Sequence, residues 1–263
     1  MSKFSKKMQR RYRETKRSSL AVYLTLRILV LICMIIQILH GSLTNAVLCG
    51  LVLILFTVPT IIEERYKIEL PNTLEIIIYC FIFAAEILGE INNFYHVIPF
   101  WDTMLHTMNG FLCAGVGFSL VSLLNDKSKN IDLSPFYVAL VAFCFSMTVG
   151  VVWEFFEYSM DKFFQTDMQK DFLVSSISSV KLNKKDENQP VIIDGIQSTT
   201  VHTKYGDYTI DGGYLDIGIN DTMKDLLVNF IGAVVFCGIG YIYLKHNEKQ
   251  GFASNFIPKV LRS

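Results

Sequence analysis

The chain has 263 residues, and its 24 Lys or Arg balance 24 Asp or Glu, so the formal net charge is zero. Hydrophobic residues make up 51% and charged residues 18%, with mean hydropathy +0.38, whereas a soluble domain carries about 25% charge. These values exclude a simple soluble enzyme, and zero net charge excludes a global field that would draw nucleic acid.

Residues 1–19 form a basic tail whose first 17 residues, MSKFSKKMQRRYRETKR, hold eight Lys or Arg and one Glu. The positive-inside rule assigns such a tail to the cytoplasm. A bilayer core about 30 Å thick needs roughly 20 mainly apolar helical residues. Six runs meet that need, at 20–40, 44–62, 72–90, 102–124, 133–155 and 222–244. The first ends in His40-Gly41-Ser42 without a small-residue cleavage site, so it reads as a retained helix and not a signal peptide. The third is the weakest because Glu75 and Glu86 interrupt it. Arg27 lies two turns inside the first run and can snorkel to the surface.

Alternating from a cytoplasmic N-terminus, the inner segments hold the N-tail, Arg65, Lys67, Lys127, Lys129, Lys245, Lys249, Lys259 and Arg262. The short outer loops near 41–43 and 91–101 hold no Lys or Arg. This charge sorting predicts a multi-pass protein with both termini cytoplasmic. All six cysteines lie inside apolar runs and read as small hydrophobes, with no metal or disulfide spacing.

Residues 157–221 form one long extracytoplasmic loop with eleven acidic and six basic side chains. Its later part, PVIIDGIQSTTVHTKYGDYTIDGGYLDIG, alternates β-branched and aromatic residues between Gly-Asp and Gly-Gly turn signals. The expectation is a small mixed α/β subdomain with a β-hairpin and a helical piece before it, and a mobile stretch at 183–189. The predicted fold is thus an all-α polytopic bundle of six transmembrane helices carrying that subdomain. Its divisions are the tail 1–19, helices one to five in 20–156, the loop 157–221, helix six at 222–244 and a cytoplasmic tail 245–263. A frame D-x-x-K-D occurs twice, at Asp167–Asp171 and Asp221–Asp225.

Ionisable groups within spans are costly and point to function. Here they gather at the predicted outer ends. Glu86 and Glu90 close the third span, while Asp102, His106 and Asn109 share one stripe of the fourth by the i, i+3, i+4 rule. Glu154, Glu157 and Asp161 close the fifth, and Asp221, Asp225 and Asn229 open the sixth. Ordinary roles exist for each alone. Asp102 and Asp221 suit a helix first turn, His106 suits an interfacial hydrogen bond, and Trp101 and Trp153 suit an aromatic belt. His40, His96 and His202 take ordinary roles.

The coincidence of hard ligands at one depth favours a shared site. Crowded carboxylates need a compensating cation, supplied by Lys224, Lys170, Lys162, protonated His106 or a divalent metal. Acids and an imidazole on facing helices are how bundle metal sites are built, and an oxygen-rich set with one His suits Zn, Mn, Fe or Mg. The expected metal ligands are Asp102, His106, Glu154, Asp221 and Asp225. Glu157 is the expected general base, and Lys224 is expected to balance phosphate charge. Glycines of the fourth and sixth spans allow close helix approach.

The blocks PFWDTMLHTMNGFLCAGVGF, VVWEFFEYSMD and DTMKDLLVNFIGAVV resemble the YjdF-type bacterial inner-membrane proteins. Asp102 and His106, Glu154 and Glu157, and Asp221 and Asp225 match that pattern. The frames D-x-x-x-H and D-x-x-x-N-x-x-G, the latter at Asp225, Asn229 and Gly232, are more distantly similar to VanZ-type membrane proteins. The resemblance covers spans three to six. It implies a bacterial inner or plasma membrane and supplies no activity.

Three functions fit these residues. The first is a metal-dependent hydrolase or transferase acting outside the membrane on a lipid-linked or envelope substrate. The second is an ion- or proton-coupled transporter, which ranks lower because the middle and inner half offer few polar residues. The third is a non-catalytic membrane factor with a structural ion site. No GxxxxGK[ST] or GxSxG motif occurs, which disfavours ATP-driven work and serine hydrolysis.

Overall fold

The computed structural model describes residues 3–66, 68–127, 132–185, 188–246, 255–256 and 259–260. Lys67, Lys129, Lys249 and Arg262 of the predicted cytoplasmic charge lie outside the described residues, as do Asp186 and Glu187 of the stretch expected to be mobile. The chain divides into two compact units, residues 1–150 with 228–263 and residues 151–227.

In chain order the elements are α1 (Lys3–Leu39), α2 (Leu43–Leu55), α3 (Val58–Tyr66), β1 (Ile68–Glu69) and α4 (Asn72–Ile82), which passes into a π-helix at Phe83–Ile91. Then come α5 (Phe94–Val97), α6 (Trp101–Lys127), α7 (Pro135–Phe164), β2 (Phe172–Val174), β3 (Ile177–Ser179) and a 3₁₀ turn at Val180–Leu182. β4 (Val191–Ile193), β5 (Ser198–Thr203), β6 (Gly206–Asp211), β7 (Tyr214–Asp216), α8 (Ile219–His246) and β8 (Lys259–Val260) follow.

Among the described residues, five helical stretches are long and apolar enough to cross a membrane: Ser18–Leu39, Leu43–Arg65, Trp101–Ser122, Pro135–Phe164 and Ile219–His246. The second contains a break between α2 and α3 because the Pro59 ring crowds the carbonyl four residues back, at Leu55, where α2 stops. The expected third span is helical from Asn72 to Ile91 but changes from α to π hydrogen bonding at Phe83. Five of the six expected spans thus coincide with such stretches, and the exact count of six is not confirmed. The π-helix holds Glu86 and Glu90, and it ends where the Asn92 N–H reaches back five residues to the Ile87 carbonyl.

Within the first unit, α1, α2, α4 and the π-helix bury one apolar cluster, Val30, Cys49, Val52, Phe56, Tyr79 and Ile87. Glu75, the acid that weakens the third run, accepts from Ser19 Oγ at 2.5 Å and Tyr79 Oη at 2.9 Å, which offsets the cost of taking it out of water. Arg27 donates to the Tyr23 hydroxyl one turn nearer the N-terminus and lies over its ring, the direction expected of a snorkelling side chain. A second cluster joins α6, α7 and α8 through Ala114, Phe118, Val138, Ala139, Ala142, Ala233, Phe236 and Cys237.

In the second unit every ladder is two-stranded and antiparallel: β2 with β7, β3 with β4, and β5 with β6. β5 and β6 form a hairpin in which Val201 faces Tyr208 and Thr199 faces Ile210. Helix before this hairpin is limited to the end of α7 and the short 3₁₀ turn.

Candidate functional site

In the first unit α6 opens at Trp101 with Asp102 in its first turn. His106 Nε2 stands 3.4 Å from Asp102 Oδ1 across one turn, with His106 buried and Asp102 half-buried. Asn109 continues the stripe. Its Nδ2 donates to Asn229 Oδ1 at 3.1 Å, and Cys113 Sγ donates to Asn109 Oδ1 at 3.4 Å. Asn229 is 1% exposed and its own Nδ2 reaches Met147 Sδ at 3.7 Å.

Three glycines make this junction. A Cβ on Gly110 would stand 2.0 Å from the Asn229 carbonyl oxygen, one on Gly232 would stand 2.0 Å from the Thr107 carbonyl oxygen, and one on Gly150 would meet Asn229 Nδ2 at 2.7 Å. The backbones approach because these residues have no side chain, as small residues do between membrane helices. Ser146 Oγ also donates to the Gly110 carbonyl at 2.8 Å. Contacts rise together along α6 and α8, from Gly110 with Asn229 through Gly115 with Phe236 to Phe118 with Gly240, so these helices run in parallel. α7 runs the other way: Gly150 lies at Asn229, while Phe145 meets Gly117.

In the second unit the end of α7 is inside out by the standard of a soluble helix. Val152, Trp153, Phe155, Phe156 and Tyr158 are exposed, while Glu154 and Glu157 are 4% and 7% exposed. Trp153 Nε1 donates to Glu157 Oε1 at 2.9 Å. Asp161, placed by its spacing in the same stripe, instead caps the turn beyond α7. Its oxygens accept from Thr166 Oγ1 at 2.7 Å, Met168 N at 2.7 Å and Gln169 N at 2.8 Å, just after the chain reverses at Gln165 with φ 56°.

That turn is tied to the start of α8. Lys170 N donates to Asp221 Oδ2 at 2.7 Å and Gln169 Nε2 to Thr222 Oγ1 at 2.5 Å, so the two D-x-x-K-D frames touch. Asp221 and Asp225 are buried. Asp216, which sequence reasoning passed over, is buried as well and caps α8 by accepting from Asn220 N at 2.8 Å. The signal was a short polar residue four positions before Asn220, hidden in a loop of many such residues.

The lysines expected to compensate these acids are engaged elsewhere or exposed. Lys224 Nζ lies 5.8 Å from the centre of the Phe172 ring, Lys170 Nζ is 3.7 Å from Asp167, and Lys162 is exposed. Among the described residues of 151–227 the buried polar side chains are all acids: Glu154, Glu157, Asp216, Asp221 and Asp225. Outside the spans, Asp171 is held above the usual carboxyl range by burial and then by the charges of Asp167, Asp216 and Asp161. The described residues contain candidate groups of His and carboxylate side chains that could hold a metal ion.

A curated protein of Thermotoga maritima, titled only as an uncharacterised protein, is 31% identical to this chain over 104 residues, which is 40% of this chain and 52% of that protein. The chain thus spans about half the length of that relative. No solved structure matches. A family model described as "Predicted membrane protein (DUF2238)" matches residues 20–246, which takes in α2 to α8 and the apolar part of α1, and the chain belongs to that family.

Proposed function

We propose that the protein is a multi-pass protein of a bacterial cell membrane with both termini cytoplasmic. In this reading Asp102, His106, Glu154, Glu157, Asp221 and Asp225 form one outward-facing site that holds a divalent metal and performs hydrolysis or group transfer on a lipid-linked or envelope substrate.

The observation that carries this reading is the Asn229 junction of the first unit. α6, α7 and α8 are each unbroken where they pass it, so helical periodicity extends the register outward. One turn from Asn109 toward the start of α6 is His106. One turn from Asn229 toward the start of α8 is Asp225, and one turn from Gly150 toward the end of α7 is Glu154. A second turn brings Asp102, Asp221 and Glu157. Donors of one chemistry thus recur at one-turn and two-turn steps along each of three helices.

The donor set fits a metal. It offers carboxylate oxygens and one imidazole, the mixture that suits Zn, Mn, Fe or Mg, and the buried polar groups of 151–227 include no Lys or Arg among the described residues. Asp102, His106, Glu154, Asp221 and Asp225 would hold it, and it would supply Lewis-acid polarisation of a phosphoryl or carbonyl oxygen. Glu157 accepts the proton of the attacking group, and Lys224 balances substrate charge. Transport ranks second because on the far side of Asn229 the bundle is filled by Ala114, Phe118, Ala142, Ala233 and Phe236, each at most 1% exposed. The buried Ser119 beside Phe118 gives its hydroxyl to the Gly115 carbonyl.

The test is elemental analysis of the detergent-purified protein beside a His106→Ala, Glu154→Gln double variant, with melting followed as Zn, Mn, Fe or Mg is added. Stoichiometric metal in the wild type and its loss in the variant are expected. No retained metal, together with no metal-dependent rise in melting temperature, overturns the reading.

A further inference from the structure

Cys33 and Cys49 lie in the first unit, in the apolar stretches Ser18–Leu39 and Leu43–Arg65. They are too far apart in sequence for any local cysteine motif, and it is the hairpin of α1 and α2 that brings them together. The chain reverses after Leu39, and Asn45 Nδ2 then donates to Gln37 Oε1 at 3.2 Å from one helix to the other. Four residues further from the turn along each helix, one α-helical turn deeper, stand Cys33 and Cys49. Their thiols are joined by a hydrogen bond, and both are free cysteines. Val30 and Val52, the next buried residues inward on the same faces, are 0% exposed and belong to the same cluster as Cys49. The pair is thus held in register from both sides.

The two thiols differ in access. Cys49 is 0% exposed and lies on the buried face of α2 with Ala46 and Val52. Cys33 is half-buried, and Leu29 and Ile36, one turn to either side of it, are exposed. Its sulfur therefore sits at the edge of the seam, within reach of small molecules dissolved in the bilayer, with the second thiol behind it. A disulfide needs Cα atoms within about 7 Å, and small residues such as Ala46, one turn from Cys49, let membrane helices approach closely. A thiolate would place a charge in this apolar seam, whereas a disulfide leaves neither a charge nor a donor there.

We infer that Cys33 and Cys49 form a modification site, a dithiol that a membrane-permeant peroxide converts to an intramembrane disulfide tying α1 to α2. Cys33 reacts first: its sulfur takes one peroxide oxygen, the O–O bond breaks, an S–O bond forms, and the thiol proton leaves with the alcohol. The sulfenic acid then condenses with the Cys49 thiol. The S–S bond forms as the hydroxyl of Cys33 leaves with the proton of Cys49 as water. The peroxide gains two electrons and the two sulfurs together lose two. None of these residues belongs to the metal-holding site proposed above, so the two readings stand or fall separately.

No Lys or Arg lies between Arg27 and Arg65, so trypsin releases both cysteines on one peptide, 28–65. The purified full chain in nanodiscs is treated with cumene hydroperoxide at a concentration that oxidises the exposed Cys80. It is then denatured, labelled with iodoacetamide, digested and weighed, with or without dithiothreitol before labelling.

The inference expects peptide 28–65 to lose two hydrogens and take up no label, and to take up two labels after dithiothreitol. With dimedone present, Cys49→Ser is expected to gain an adduct on Cys33, and Cys33→Ser to gain none on Cys49. Two labels retained after peroxide overturn the site, as does oxidation that ends at sulfinic acid on either cysteine. A dimedone adduct on Cys49 with none on Cys33 overturns the order of attack.

Discussion

Gly232 and Gly238 lie on the same helix, α8, and differ in what a methyl group would meet. A Cβ on Gly232 would stand 2.0 Å from the Thr107 carbonyl oxygen and 2.9 Å from Phe111 N, both backbone atoms of α6, while one on Gly238 has nothing within 4 Å. Backbone cannot rotate aside, so α6 and α8 must part by about 1 Å before the contact becomes one that real side chains show. The same displacement stretches the Asn109–Asn229 bond, 3.1 Å in the native junction, past hydrogen-bonding range.

Forced overpacking costs about 1–3 kcal/mol, and an interhelical hydrogen bond within a membrane adds about 0.6 kcal/mol. Replacing helical Gly by Ala returns about 1 kcal/mol at either site through backbone entropy, so the difference between the two variants isolates the close approach. Gly232→Ala is expected to be less stable than Gly238→Ala by about 2–3 kcal/mol, a melting difference on the order of 5–10 °C at about 2–4 °C per kcal/mol. Melting of both variants in the same detergent, followed by far-ultraviolet circular dichroism, provides the comparison. Equal melting temperatures would refute the argument that α6 and α8 meet through Gly232.

A double-mutant cycle over Asn109→Leu and Asn229→Leu should return a coupling of about 0.6–1.7 kcal/mol, the range for polar pairs between membrane helices; additive effects would deny the bond. Asp161→Ala removes the acceptor for Thr166, Met168 and Gln169, which should cost about 1–3 kcal/mol locally and open 165–170 to protease, whereas unchanged cleavage would contradict the cap. Asp171 binds its proton more tightly folded than unfolded, because burial and then Asp167, Asp216 and Asp161 disfavour its charge. Its contribution is therefore present below the ordinary carboxyl range and lost as pH rises through the raised value. Asp171→Asn should slow amide exchange in β2 and β7 at neutral pH and make little difference in acid, and slower exchange confined to acid would reverse the sign.

The site stripes were legible because hydrophobic and ionisable residues on one helix obey a single period. Asp102, His106 and Asn109 share a face at i, i+4 and i+7, and Glu154 and Glu157 at i and i+3, wherever the helix lies. The π-helix at Phe83–Ile91 was not legible, since an α- and a π-turn have nearly the same apolar pattern and differ only in which carbonyl each N–H selects. Asp161 looked like a further member of the Glu154 stripe; the reversal at Gln165 is what turns it toward its own chain. The hairpin of β5 and β6 announced itself by alternation around Tyr205-Gly206, but the pairings of β2 with β7 and β3 with β4 join three-residue strands distant in sequence, where no local pattern records the partner. The Trp153 bond to Glu157 lay in view as W-x-x-x-E, yet the same spacing describes an ordinary belt residue.

The buried acids leave one physical question that a single experiment divides. Buried carboxylates hold their charge only with hydrogen bonds and a compensating cation, and are otherwise protonated. A cluster held by a bound cation and one neutralised by protons differ in the sign of their response. Protons compete with a metal for carboxylate oxygens, so a metal-held cluster loses stability on acidification and on chelation. A proton-neutralised cluster gains stability on acidification and ignores a chelator. Melting of the purified protein across the mildly acidic range, with and without EDTA, separates these responses. We expect the first pattern, with Glu154→Gln reducing the chelator's effect; melting that rises as pH falls and is indifferent to EDTA would transfer the acids to a proton-carrying role.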